Sequence, residues 1–153
     1  MREPQNYANH AKIVPAFHYF LLPILFMNLI WSVIIGIKLF GNPNFGLVSR
    51  ISVAMLVLDA IALVFLAFLA RLFALGVQDR VIRIEERLRC QQLLPEDLKP
   101  RIHEFTTNQL VALRFASDGE LSALARKILT DNVKERKAIK QMIQNWRADD
   151  QRI

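Results

Sequence analysis

From Val14 to Phe40 the apolar run contains one charged side chain, Lys38, and from Ile51 to Leu75 a second run contains only Asp59 and Arg71. About 20 apolar residues suffice for a helix to cross the hydrocarbon layer, so the pattern predicts transmembrane spans over about 15–40 and 51–75. Gly41, Asn42, Pro43, Asn44 and Gly46 between them are turn formers, which makes the spans an antiparallel hairpin. Pro15 stands where a missing N–H is harmless. Pro23 should kink the first helix or mark where its regular part begins.

Beyond the second run, Val77, Val81, Ile84 and Leu88 recur at alternating four and three spacing, so the span continues as a helix. With Val81 and Leu88 as a positions, Arg80 and Arg87 fall at g and Glu85 at e, which permits an Arg80 to Glu85 bridge between parallel helices. The preferred use of this stripe is packing on the chain's own tail. Pro95 and Pro100 end the helix and impose a short connector. Apolar residues Leu110, Val111, Leu113 and Phe115 then surround a helix over about 107–116. Ser117 with Glu120 reads as a capping box, opening a helix with Leu121, Leu124, Ala125, Ile128 and Leu129 on one face. Asn132 with Glu135 repeats the start signal. The last helix sets Ile139, Met142, Ile143 and Trp146 against a basic face of Lys137, Lys140, Gln144 and Arg147.

The expected fold is all-α: a two-helix transmembrane hairpin, its second span extended as a cytoplasmic helix, then a small domain of about three short helices. The boundaries are a cytoplasmic N-terminal segment 1–13, the hairpin 14–76, a juxtamembrane helix 77–94 and a cytoplasmic helical domain 95–153.

Composition sharpens this picture. Apolar residues form 53% of the 153 and charged residues 22%, and the two are segregated along the chain, as in a membrane protein with a soluble tail. The net charge of +6 does not signal nucleic acid, because the basic residues crowd the exit of the second span. Arg2 and Lys12 precede the hairpin, Lys38 and Arg50 flank its tip, and Arg71, Arg80, Arg83, Arg87 and Arg89 follow. By the excess of cytoplasmic Lys and Arg, both termini face the cytoplasm of a bacterial inner membrane. The first run is too long for a signal peptide and lacks a small-residue cleavage site, so it is a retained anchor. Phe17, Tyr19 and Phe20 suit the inner aromatic belt, Phe40 and Phe45 the outer. Cys90 stands alone, which removes disulfide frameworks and thiolate metal sites.

Candidate chemistry is sparse. Asp59 loses hydration at mid-span, so it should face protein, bonded to Ser32, Asn28 or the Trp31 indole. Asn28, Ser32 and Gly36 form a stripe at four-residue spacing, with Gly36 and Ala62 allowing close approach. This polar clasp is preferred over an ion path. Arg80, Arg83, Arg87 and Arg89 are placed to meet lipid headgroups. An interfacial polar set, Asn6, Tyr7, Asn9, His10 and His18, is the place to seek a headgroup or partner site; capping of the helix and sealing against the tail is its plainer use. His18 or His10 would serve as an axial ligand to haem or chlorophyll only with partner subunits, so a hydrogen-bonded interfacial His is preferred. Arg101, His103 and Glu104 are read as structural. No phosphate loop, paired-His helix or nucleophile elbow is present, and no metal or cofactor is expected.

The segment Gln5, Asn6, Tyr7, Asn9, His10 with Pro15, His18 and Pro23, then Leu110 through Phe115 with Ala116, Ser117, Asp118, Glu120 and Leu121, and the close with Ile139, Lys140, Trp146, Arg147 and Asp149, resemble a small bacterial two-span membrane family of unknown function. The resemblance implies topology and no activity. A transporter permease label sometimes attached to such chains is a poor fit, because two helices supply no alternating-access core.

The functional expectation is a non-enzymatic accessory or scaffold subunit of an inner-membrane complex. Its partners would be membrane lipid and a larger membrane protein or a second copy, with no nucleic acid and no small-molecule substrate. An oligomeric ion or proton conductor using Asp59 and a haem- or chlorophyll-associated subunit through His18 are the alternatives.

Overall fold

In a computed structural model, the described residues are 4–10, 12–44 and 46–149. Arg2 and Phe45, which bear on orientation and the outer belt, lie outside them. The chain is all-helical in its regular structure and divides into two compact units: Ile13–Ala74, and the chain before it together with the chain from Leu75 onward.

The first unit opens on a π-helical stretch, Ala16–Leu21, in which the Leu22 N–H reaches the Phe17 carbonyl. The regular helix α1 follows over Leu22–Phe40, with Pro23 in its first turn. Proline cannot donate the bond an α-helix would need at this point, and its ring crowds the preceding turn; a widened turn relieves both. Pro23 therefore marks the start of the regular helix. After the turn, where the Asn44 N–H bonds to Asn42 Oδ1 at 3.0 Å, α2 runs unbroken over Leu47–Leu93.

Ser32 and Gly36 of α1 and Val53 and Ala60 of α2 are the buried residues of this hairpin. A Cβ on Gly36 would stand 3.5 Å from Val57 and 3.7 Å from Val53, which is ordinary contact distance. The small residue of α2 in the seam is Ala60; Ala62, expected there, is exposed. Outside the seam, Phe20, Met27, Trp31, Ile37 and Phe65 are each more than 60% exposed. Both helices are long and apolar enough to cross a membrane.

The second unit packs α3 (Thr107–Leu113), α4 (Asp118–Thr130) and α5 (Arg136–Met142), with a 3-10 turn over Lys99–Glu104, against the later part of α2. Its core centres on Cys90, Leu94, Leu113, Phe115, Leu121 and Ile128. Residues Gln109 to Leu113 of α3 are all buried, as a helix apolar on every side requires.

Local signals in this unit depart from the sequence expectation in helix capping, in the end of α4, in the course of the last helix and, fourth, in the use of α2. The capping box forms at Thr106 and Gln109 on α3. Ser117 is the N-cap of α4 but its side chain makes no capping bond, and the Glu120 side chain accepts instead from the Gln144 and Asn145 N–H groups, both at 3.2 Å. Asn132 does not open α5. It takes φ 49°, and the Val133 N–H bonds back to the Ile128 carbonyl at 3.1 Å, so it closes α4 in a left-handed cap, a role asparagine fills with little strain. The last helix ends at Met142, and Trp146 lies instead on an extended stretch bridged to Ala116, with Ser117 N–H to Asn145 O at 2.9 Å and Arg147 N–H to Phe115 O at 2.7 Å.

The fourth difference concerns α2. Val77, Val81, Ile84 and Leu88 point outward, and Ile82, Glu86 and Cys90 face the tail core. On this face Glu86 finds guanidinium partners in Arg89 and Arg147.

Candidate functional site

The proposed cluster within the hairpin separates into a buried and an exposed part. Ser32 is 1% exposed and its hydroxyl donates to the Leu29 carbonyl at 2.8 Å, a bond within its own helix. Asn28 and Trp31 are exposed, and so is Asp59. The face that meets α2 follows Leu25, Leu29, Ser32 and Gly36, at four, three and four spacing. Successive steps of four residues drift by about 40° on a helix, which carries Asn28 off the seam that holds Gly36. Asp59 lies in a shallow apolar depression with Ala62, Leu63, Phe65, Leu66 and Leu69, and no described residue bonds to it. The hairpin presents this carboxyl outward and keeps its hydroxyl inward.

The interfacial polar set also divides. Asn6 Oδ1 accepts from the Ala8 N–H at 2.8 Å and Asn9 Oδ1 from the Asn6 N–H at 2.6 Å, so both asparagines tie a local turn. Tyr7 stacks on His10 with centroids 5.7 Å apart, and His10 meets Phe115 edge-on and Trp146 at a tilt. These residues belong to the tail unit. His18 belongs to the hairpin unit, where its Nδ1 lies 2.9 Å from the Val14 carbonyl and 3.2 Å from the Val14 N–H.

The densest polar arrangement joins Arg89, expected at lipid headgroups, to Glu86, which is not among the candidate residues. Arg89, with a side chain 10% exposed, donates from Nη1 to Glu86 at 3.0 Å, from Nη2 to the Ala116 carbonyl at 2.7 Å, and from Nε and Nη2 to Asp118 at 3.0 and 2.6 Å. Arg147 approaches the other oxygen of Glu86 at 3.8 Å. Arg114 binds Asp149 at 2.7 Å and the Val111 carbonyl at 3.1 Å, and the Asp149 N–H bonds to Gln5 at 2.9 Å. Arg114 and Lys140 also stand over Phe115, at 4.4 and 5.0 Å from its centroid.

Burial pushes the Glu86 carboxyl above its ordinary range, against the pull of Arg89, Arg147 and Arg114. Burial, with the neighbouring Glu86 charge, also pushes the Cys90 thiol up to about 11, so this sulfur is a protonated core group and a poor nucleophile at neutral pH. Arg89 is thus committed to the tail and is not open to headgroups as expected. Arg80 is exposed, and Arg83 and Arg87 are half-buried with Nε groups that have no hydrogen-bond partner. Arg101 bonds Glu104 at 2.8 and 2.9 Å on the surface, which holds that carboxyl below its usual range.

Chemically, these ion pairs fasten elements together. Each oxygen of Glu86 faces a guanidinium, which ties up the carboxylate that a base would need. Among the described residues no three His, Cys, Asp or Glu side chains gather as metal ligands. One signal for the cluster is present in the sequence: Glu86, Arg89 and Cys90 lie three and four residues apart on the face of α2 opposite Val81 and Leu88.

The chain belongs to the Family of unknown function (DUF6526), whose model matches residues 1–153. Comparison with curated proteins and with solved structures gives no match.

Proposed function

We propose that this protein is a non-enzymatic accessory or scaffold subunit of a bacterial inner-membrane complex, multi-pass, with both termini in the cytoplasm. The observation that carries the proposal is Asp59. A carboxyl amid Ala62, Leu63, Leu66 and Leu69 on the outside of an apolar hairpin has no partner among the described residues, and in hydrocarbon an unpartnered carboxylate costs several kcal/mol. A helix of a larger membrane protein carrying a donor at that depth removes the cost.

Two further observations support this reading. The described residues up to Lys12 and those from Leu75 onward share one compact unit, as expected when an even number of spans separates them. Glu86, Arg89, Arg114, Asp118 and Asp149 of that unit are engaged in holding it together, as suits a docking body.

Purification from native membranes in mild detergent tests the proposal. A co-purifying membrane protein that is retained with native Asp59 and lost with Asp59→Leu is the expected result. A chain that migrates alone at every concentration would sink the idea.

The exposure of Asp59 favours one other reading, an oligomer that gathers several Asp59 side chains into a proton or ion path. Liposome flux abolished by Asp59→Asn would support it, and flux unchanged by that substitution would dispose of it. No observation favours haem or chlorophyll at His18, and a colourless purified complex would count against it.

A further inference from the structure

We propose that the outward face of α2 carrying Val77, Val81, Ile84 and Leu88 is the seam of a parallel two-stranded coiled coil with a second copy of this chain. The proposal goes beyond the accessory role and does not depend on which larger protein the hairpin meets.

The four side chains are 61%, 48%, 58% and 55% exposed, although the helix that bears them is anchored to the tail core through Ile82, Glu86 and Cys90 on its other side. That anchoring fixes the apolar stripe outward. Its spacing of four, three and four places Val77 and Ile84 at d and Val81 and Leu88 at a, the register of a coiled-coil seam.

Charge selects the occupant and its direction. Arg80 and Glu85 are both exposed, and neither forms an ion pair with a described residue. In a parallel pair the g residue of one helix faces the e residue of the next heptad on its partner. Arg80 then meets Glu85 on both sides of the two-fold axis. One heptad on, Arg87, whose Nε has no partner among the described residues, meets the exposed Gln92, whose amide oxygen accepts. An antiparallel pair would instead set g against g and bring arginines together. The pattern is therefore complementary to itself in one orientation.

Two measurements on the full chain test this. In detergent micelles, sedimentation with the detergent mass accounted for should give two chains per particle. Glu85→Arg should weaken that association roughly tenfold, by turning two attractive pairs into repulsive ones, and Arg80→Glu with Glu85→Arg should restore it. In native membranes, Ile84→Cys in a Cys90→Ala background should form a disulfide-linked dimer on mild oxidation, while Lys134→Cys in the same background should not. Restoration by the double variant rules out misfolding as the cause of the loss. A single chain per particle, indifference to Glu85→Arg, or cross-linking of the Ile84→Cys variant to a different protein would overturn the proposal.

Discussion

Arg89 and Asp118 are joined by two hydrogen bonds, 3.0 Å from Nε and 2.6 Å from Nη2, across 29 positions of sequence. The same guanidinium neutralises Glu86, whose side chain is 6% exposed, so Arg89 ties α2 to the start of α4 and compensates a buried charge at once. Removing it leaves that carboxylate without its nearest cation. Arg89→Ala should therefore destabilise the protein by about 3–5 kcal/mol in denaturant unfolding, and adding Glu86→Gln should recover part of the loss. A purely additive double variant would mean that the two side chains are not coupled.

The raised pKa of Glu86 sets the sign of a pH effect. Folded Glu86 holds its proton to higher pH than the unfolded chain, whose carboxyl titrates at its ordinary value of 4.5. The stabilising difference is complete below that value and is lost as pH rises through the folded pKa. Stability of the wild type relative to Glu86→Gln should thus fall as pH is raised from 4.5 upward through the folded pKa. A flat or rising difference would show that the arginines outweigh burial.

Cys90 is 0% exposed and its thiol is pushed up to about 11. Maleimide labelling of the native protein near neutral pH should be slower than that of the unfolded chain by about two orders of magnitude or more, because both opening and deprotonation are required. Equal rates would place the sulfur at the surface.

At the hairpin seam, the space beside Gly36 accommodates a methyl group at contact distance from Val57 and Val53. Gly36→Ala should leave thermal unfolding in detergent unchanged or slightly raised, since alanine is the better helix former. Gly36→Leu should lower it by forcing α1 and α2 apart. A loss on the alanine substitution would mean a closer helix approach than these distances describe.

Much of the architecture is readable from Lys38 being the only charge between Val14 and Phe40, and from the turn residues Gly41 to Gly46, because long apolar runs and turn formers act locally. The later helices fall near their expected positions for the same reason. What the sequence conceals depends on contacts distant along the chain. Glu120 looks like a capping partner of Ser117 until the Gln144 and Asn145 N–H groups claim it, and Trp146 completes a helical stripe until its backbone neighbours pair with Phe115 and Ser117. Likewise the apolar stripe of Val77 and Val81 outranks Glu86 in hydrophobicity, yet Arg89, Arg114 and Arg147 converge on the Glu86 face. Asp59 follows a similar logic: its place midway along an apolar run is legible, its facing is not, because facing is decided by how Leu29, Ser32 and Gly36 seat on Val53 and Ala60.

Gln5 accepts the Asp149 N–H, a bond between residues 144 positions apart. A ribosome adding roughly 5–20 residues per second releases the first of these roughly seven to thirty seconds before the second. During that interval Tyr7 and His10 have neither Phe115 nor Trp146 to rest against. The N-terminal segment must stay uncommitted until the chain near Asp149 emerges, and a bulky fusion ahead of Gln5 would burden this last closing step.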